Sequence, residues 1–336
     1  MFSLQKLNFM LRVSKSVAQD FSSLLVKGKS YSKPLVRPKN VFMQEITRRF
    51  ADPVCKFPTF PLQMDPSCRV AIITGGESGI GLAAAKDLLK NGAQVVVLAG
   101  VGDGEPVVKQ LNEEHGADRV CFMHMDVNDP RDFEGSQGSL LELFYRVDLV
   151  FGGVDIVFNN AGIMRDDVWE YAIDVNLKSV IRGTILGVNY MGRNGKGKRN
   201  GQGLIINHAD IAALEGFPYT PGYVASKAGV VGATLSFGAE YHYKNTGVRV
   251  VGLLSGPTET DMITNTTEKQ LSPDMGRAAV AALREASLQS STVVGKAVTH
   301  IVKYAPTGSF WAVQKGELFL TEFPNWKSFS RKVTQL

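Results

Sequence analysis

The chain has 336 residues, 44% of them hydrophobic and 34 of them glycine, with a formal net charge of +5. That is enough to bury a full core and is long for one average domain. The charge is uneven: residues 1–64 carry eleven Lys and Arg against three acids, or +8, which leaves −3 on residues 65–336. The body therefore lacks the basic excess of a nucleic-acid binder, and no apolar run reaches the ~18 residues of a membrane-spanning helix.

Residues 1–19 contain no acid and carry Lys6, Arg12 and Lys15, with Leu4, Leu7, Met10 and Leu11 at roughly helical spacing. Serines recur to residue 32. This composition fits a mitochondrial presequence, the alternatives being a disordered basic arm and a cytoplasmic protein. Pro53, Pro58, Pro61 and Pro66 mark a linker. The expected organisation is a basic extension and linker over 1–66, a folded domain over 67–320 and a tail over 321–336. Cys55, Cys68 and Cys121 show neither paired nor metal-type spacing and read as thiols in a reducing compartment. No metal-ligand set is read.

The run Arg69 to Thr74 is apolar and β-branched, as in a buried parallel strand. Gly75-Gly76-Glu77-Ser78-Gly79-Ile80-Gly81 follows, then a helical pattern through Leu82, Ala85, Leu88 and Leu89 that Asn91-Gly92 ends. Ala93 to Leu98 reads as a second strand. In this strand–turn–helix–strand order the missing side chains let backbone N–H groups approach a pyrophosphate at a helix N-terminus. Further buried strands are read at Val154–Phe158, Leu204–Asn207 and Val248–Leu254. The first two of these precede Asn159-Asn160-Ala161-Gly162 and His208-Ala209-Asp210. The glycine-rich loop 192–203 holds Lys196, Lys198 and Arg199 and reads as a solvated flexible connection rather than an anion site. Tyr223 and Lys227, four residues apart, fall on one helical face. An ammonium there is expected to lower the phenol's pKa and make it a usable acid/base. Phe310, Trp311, Phe319, Phe323, Trp326 and Phe329 read as core or subunit packing.

Taken together, these segments resemble the short-chain dehydrogenase/reductase family over about residues 67–265. Thr74 to Gly81 matches its T-G-x-x-x-G-I-G motif, Asn159 to Gly162 its N-N-A-G motif, and Tyr223 with Lys227 its Y-x-x-x-K pair. The resemblance implies a Rossmann-type α/β fold with a doubly wound parallel sheet and a hydride transfer between a nicotinamide cofactor and a secondary alcohol or carbonyl. It implies that Asp126 and Val127 contact adenine, that Asn176 orders a water in a proton relay, and that Tyr223 is the general acid/base. It implies that Lys227 holds the nicotinamide ribose, that Gly256 and Thr260 lie on the nicotinamide side, and that residues 262–290 form a substrate lid. The substrate expected is a small, mostly apolar alcohol or ketone, and the assembly a homodimer or homotetramer. Trp169-Glu170, Gly183 to Met191 and the approach to Leu204 resemble the branch of NAD-dependent hydroxyprostaglandin dehydrogenases and insect-type alcohol dehydrogenases.

Three positions depart from the family pattern. The acid that ends the second strand in NAD-using members is Ala99 here, followed by Gly100. No arginine replaces it, and Glu77 would repel a 2′-phosphate, so NAD is favoured over NADP. Asp103 reads as a turn residue. Ser255 replaces a proline before Gly256. Thirteen residues before Tyr223, where the family has a serine donor, stands Asp210. An ionised carboxylate accepts but cannot donate, and it opposes ionisation of Tyr223. Three alternatives stay open: a protonated Asp210 that donates, His208 as the donor, or an impaired enzyme that binds cofactor or a partner.

Overall fold

Short β-branched runs build the sheet, and glycine or asparagine ends most helices. The computed structural model describes residues 64–129, 138–199, 201–264, 266–323, 327 and 330. The presequence reading, most of the proline-marked linker, and Trp326 and Phe329 lie outside the described residues.

The strands are β1 (Val70–Thr74), β2 (Val95–Gly100), β3 (Val120–His124), β4 (Ile156–Asn159), β5 (Leu204–Asp210), β6 (Arg249–Ser255), β7 (Phe310–Gln314) and β8 (Glu317–Thr321). They form one sheet in the order β3-β2-β1-β4-β5-β6-β7-β8. Every pairing is parallel except the β7–β8 hairpin. The chain steps outward from β1 to β3, returns to β4 and continues the other way. That reversal puts a crevice at the carboxyl ends of β1 and β4, where doubly wound sheets take their ligands. The expected Rossmann-type sheet is thus the observed one. β5 runs three residues further than expected, so His208 and Asp210 sit on the strand itself.

In chain order the helices are α1 (Gly79–Lys90), α2 (Glu105–His115), α3 (Leu140–Phe151), α4 (Trp169–Ile173), α5 (Ser179–Met191), α6 (Ala212–Glu215), α7 (Pro221–Phe237), α8 (Glu240–Thr246), α9 (Asp261–Thr264), α10 (Pro273–Glu285) and α11 (Ser291–Tyr304). One π turn, Asp174–Lys178, joins α4 to α5. Helices cover both faces of the sheet. On one face Ala84 and Leu88 of α1 pack with Val294, Val298 and Ile301 of α11 over Ile73 and Leu98. On the other, Leu140, Phe144 and Val147 of α3 pack with Tyr190 and Met191 over Ile72 and Val157. Full burial on both faces is why these strands read as continuous apolar runs without alternation.

Two expectations about the periphery change. Loop 192–203 is not a free connection. Arg199 Nη2 lies 3.1 Å from the buried Asp155 carboxylate, which also meets Arg69 Nη1 at 3.2 Å. Lys198 Nζ donates to the carbonyls of Asp148 and Leu149 at 2.8 and 3.2 Å. A buried acid captures one cation, and exposed carbonyls at the end of α3 capture the other. Cys68, read as a thiol, is disulfide-bonded, whereas Cys121 is a thiol. Phe310 is buried and meets Phe323 edge-on at 4.7 Å, as expected of core packing, while Phe319 is exposed. Among the described residues no helix is long and apolar enough to cross a membrane.

Candidate active site

The carboxyl ends of β1, β4, β5 and β6 open into a cleft of about 650 Å³. Its first wall is the glycine turn. Ser78 caps α1 without a side-chain bond, and no acid stands in the first turn. The first N–H groups of α1 are therefore left for an anion. Gly81 allows the helix to come this close: a Cβ there would stand 2.2 Å from the Gly75 carbonyl oxygen and 2.7 Å from Asn160 Nδ2. Thr74 Oγ1 accepts from the N–H groups of Asn160 and Ala161, both at 3.0 Å. Asn160 Nδ2 donates to the carbonyls of Thr74 and Gly75 at 2.9 and 3.1 Å. The two motifs are thus one bonded unit at the switch point.

Gly75, Glu77, Ser78, Gly79 and Ile80 line the cleft on this side, with Asp126 and Val127 beyond them. Asn160, Ala161 and Gly162 form the floor, and Gly256 and Thr260 stand on the opposite wall. Thr74 and Gly81 are buried beneath the lining and support it. Asp103 is exposed and accepts from the Glu105 N–H at 3.2 Å, an Asx turn opening α2.

The second wall carries the titratable side chains. Tyr223 and Lys227 of α7 and Asp210 of β5 all line the cleft. The Tyr223 hydroxyl donates to Asp210 Oδ2 at 2.9 Å, and Asp210 Oδ1 accepts from the Ala212 N–H at 2.8 Å. Lys227 Nζ donates to the His208 carbonyl at 2.9 Å and lies 5.7 Å from the centre of the Tyr223 ring. Burial brings Lys227 down to about 8, against the opposing pull of Asp210. Burial, and then the Asp210 carboxylate, push Tyr223 well above a phenol's ordinary pKa. The expected lowering of Tyr223 by Lys227 is therefore reversed, first by burial and then by the Asp210 carboxylate at its hydroxyl. Burial likewise raises Asp210, outweighing the N–H of Ala212, the Lys227 charge and the Tyr223 hydroxyl.

Asn176 sits in the π turn, an irregularity common at functional sites. Its side chain is fully buried. Oδ1 accepts from the Ile163 N–H at 2.8 Å, while Nδ2 donates to the Ile163 carbonyl at 2.8 Å and to Ser226 Oγ at 2.9 Å. These bonds hold the segment after N-N-A-G against α7. Asn176 is not among the residues that line the cleft.

His208 is also engaged on both sides. Asn160 Nδ2 is committed to two carbonyls, so its Oδ1 faces His208 Nδ1 at 3.0 Å and requires a proton there. Nε2 then accepts from Ser255 Oγ at 2.9 Å. Burial, and next the Lys227 charge, lower its pKa well below 6.5. Its place at the cleft is thus held by Asn160 and Ser255, with burial favouring the neutral ring. The serine that replaces the family's proline is its partner.

One positioning residue left no readable signal in the sequence. Asp166 is fully buried and accepts from the N–H groups of Gly222 and Tyr223 at 2.6 and 2.8 Å. It caps α7 from 57 residues away and fixes where Tyr223 starts its turn. Thr220, the local cap position, makes no such bond.

The sequence model of the short chain dehydrogenase family matches residues 69–271. The chain belongs to this family. Human 15-hydroxyprostaglandin dehydrogenase (NAD(+)) is 35% identical over 196 residues, 58% of this chain and 70% of the relative. Alcohol dehydrogenase 1 of Ceratitis cosyra is 27% identical over 250 residues, 74% of this chain and 92% of the relative. The solved structure of levodione reductase superposes with a TM-score of 0.61 at 24% identity, covering 74% of this chain and 97% of that one, and shares the fold. Tyr223 and Lys227 of α7 stand at the spacing that resembles the family's pair, with Asp210 of β5 where that resemblance expects a serine.

Proposed function

We propose that the protein is an NAD-dependent oxidoreductase acting on a secondary alcohol or carbonyl of a small, mostly apolar molecule. The observation that carries this reading is the meeting of Tyr223, Lys227 and Asp210 in the same cleft as the glycine turn. The turn, the free first N–H groups of α1 and the close packing of turn on helix that Gly81 allows fit a dinucleotide. Gly75, Ser78, Gly79 and Ile80 would hold its pyrophosphate, Asp126 and Val127 its adenine, and Lys227 its nicotinamide ribose. The bound cofactor supplies the hydride acceptor or donor. Met164, Phe217, Met262, Ile263 and Leu283 give the substrate end its apolar lining. The named relatives point to hydroxyl-bearing substrates.

On this reading Tyr223 exchanges the proton of the substrate oxygen, and Asp210 in its protonated form takes the serine's place as hydrogen-bond donor. The raised pKa of Asp210 favours that form. Its ionised form offers the substrate oxygen only lone pairs and holds the Tyr223 proton to itself. A homo-oligomer is part of the same proposal. The test is a panel of secondary alcohols and ketones with NAD and NADP, read by the absorbance of reduced nicotinamide. Turnover with NAD that vanishes in Tyr223→Phe is expected.

A second reading has its own observation. The bond from the Tyr223 hydroxyl to Asp210 and the raised Tyr223 pKa describe a proton locked away from substrate. A protein that binds cofactor yet turns over no member of the panel is a cofactor-binding or interaction protein with a disabled site.

A further inference from the structure

Two departures on the cofactor side touch each other. β2 ends in Ala99-Gly100 without an acid, and an acid, Glu77, stands in the glycine turn. In the fold the Glu77 carboxylate lies against the backbone of Gly100. A Cβ on Gly100 would stand 2.2 Å from Glu77 Oε1 and 2.3 Å from Oε2. Oε1 accepts from the Gly102 N–H at 3.2 Å, while Oε2 is buried and accepts no hydrogen bond. Both Glu77 and Gly100 line the cleft.

We propose that Glu77 recognises the adenosine ribose hydroxyls of the cofactor, doing from the glycine turn what a strand-end acid would do from β2. The inference rests on reading the cleft as an NAD site. A ribose diol presents two O–H donors, and a carboxylate presents two acceptor oxygens. Here one oxygen is half-used and the other is unmet, which is costly for a buried acceptor unless a ligand supplies the donor. Gly100 is bare because the Glu77 carboxylate occupies the space its side chain would take. The loss of the acid on β2 and its appearance in the turn are thus one exchange of position. The same carboxylate disfavours a 2′-phosphate, whose charge it would face at close range. Among the described residues the lysines that line the cleft are Lys227, beside the Tyr223 ring, and Lys269.

The experiment is calorimetric titration of the full chain with NAD, NADP and 2′-deoxy-NAD. Wild type is expected to bind NAD at least about tenfold tighter than either analogue. Glu77→Gln should lose about tenfold for NAD and much less for 2′-deoxy-NAD. The double variant Glu77→Ala/Gly100→Asp, which puts an acid on the last residue of β2, next to Ala99, should recover NAD binding. Unchanged NAD affinity in Glu77→Gln overturns the assignment. So does an equal loss for NAD and 2′-deoxy-NAD, which marks mere loosening of the turn. If the melting curve shows Glu77→Gln unfolded, Glu77→Asp takes its place, with a smaller loss of the same selectivity expected and an unchanged profile overturning the idea. Wild type that binds no nucleotide sinks the NAD reading itself, and wild type that prefers NADP sinks this assignment directly.

Discussion

The glycine-turn wall and the Tyr223 wall of the cleft are built by different means. Around β1 and β4 the working groups are backbone. Glycines, a helix N-terminus and the Thr74–Asn160 bonds shape the wall, and the functional surface follows from where the chain can turn. Around β5 and α7 the working groups are titratable side chains. Their state depends on what surrounds them, as the opposite pKa shifts of Tyr223 and Lys227 show. A backbone site tolerates a changed side chain if the path of the chain is kept. A side-chain site is altered by one neighbour, and Asp210 is that neighbour.

The contrast can be broken most sharply at Tyr223. Tyr223→Phe should cut kcat by about 10²–10⁴-fold while leaving the NAD dissociation constant unchanged. Steady-state kinetics beside calorimetry reads both, and a matching loss of NAD binding would erase the division between the two sides. On the other wall, Gly81→Ala should cost about 1–3 kcal/mol in denaturant unfolding and weaken NAD binding, since the new methyl meets a carbonyl oxygen rather than a flexible side chain. A neutral effect would mean the turn is softer than its contacts indicate.

Asp210→Ser sharpens the catalytic side. It should raise kcat for ketone reduction about tenfold at the alkaline end, where Asp210 has lost its proton and the serine still donates, the scale of one gained hydrogen bond. The pH profile carries the sign. Because burial raises the Asp210 pKa, its proton is held at low pH and lost as pH rises. Wild-type activity should therefore decline on that rise, and the decline should be absent from Asp210→Ser. Parallel profiles would remove Asp210 from the reaction.

The smallest effect concerns His208. Its folded pKa is depressed, so its contribution to stability is present above the ordinary value of 6.5 and is lost as pH falls toward the folded value. Wild type should lose stability, by roughly 1 kcal/mol or less, between about pH 7 and about pH 6 from this group. His208→Gln should lose less over the same interval in chemical denaturation, and equal slopes would show that His208 charges freely.

Much of the fold was legible because its signals are local. The strand runs at Arg69 to Thr74 and Val248 to Leu254, the glycine turn and the Asn91-Gly92 stop each declare themselves within a few residues. The Tyr223–Lys227 pair was legible for the same reason, since helical spacing alone puts both on one face. Asp166 gave no signal, because its carboxylate caps a helix that begins far downstream. The reach of Arg199 to Asp155 was hidden for the same reason.

The sequence by itself determined the family, the order of the strands' motifs and the residues that stand at the cleft. Those follow from periodicity, from glycine geometry and from motif spacing. Only the tertiary structure decided what these residues are able to do. It brought Asp210 rather than Lys227 to the Tyr223 hydroxyl, closed both nitrogens of His208, turned the Asn176 amide onto Ile163, and set the Glu77 carboxylate against Gly100. The physical reason is that proton affinity and hydrogen-bond supply are properties of a surrounding, and the surrounding here is assembled from segments distant in the chain.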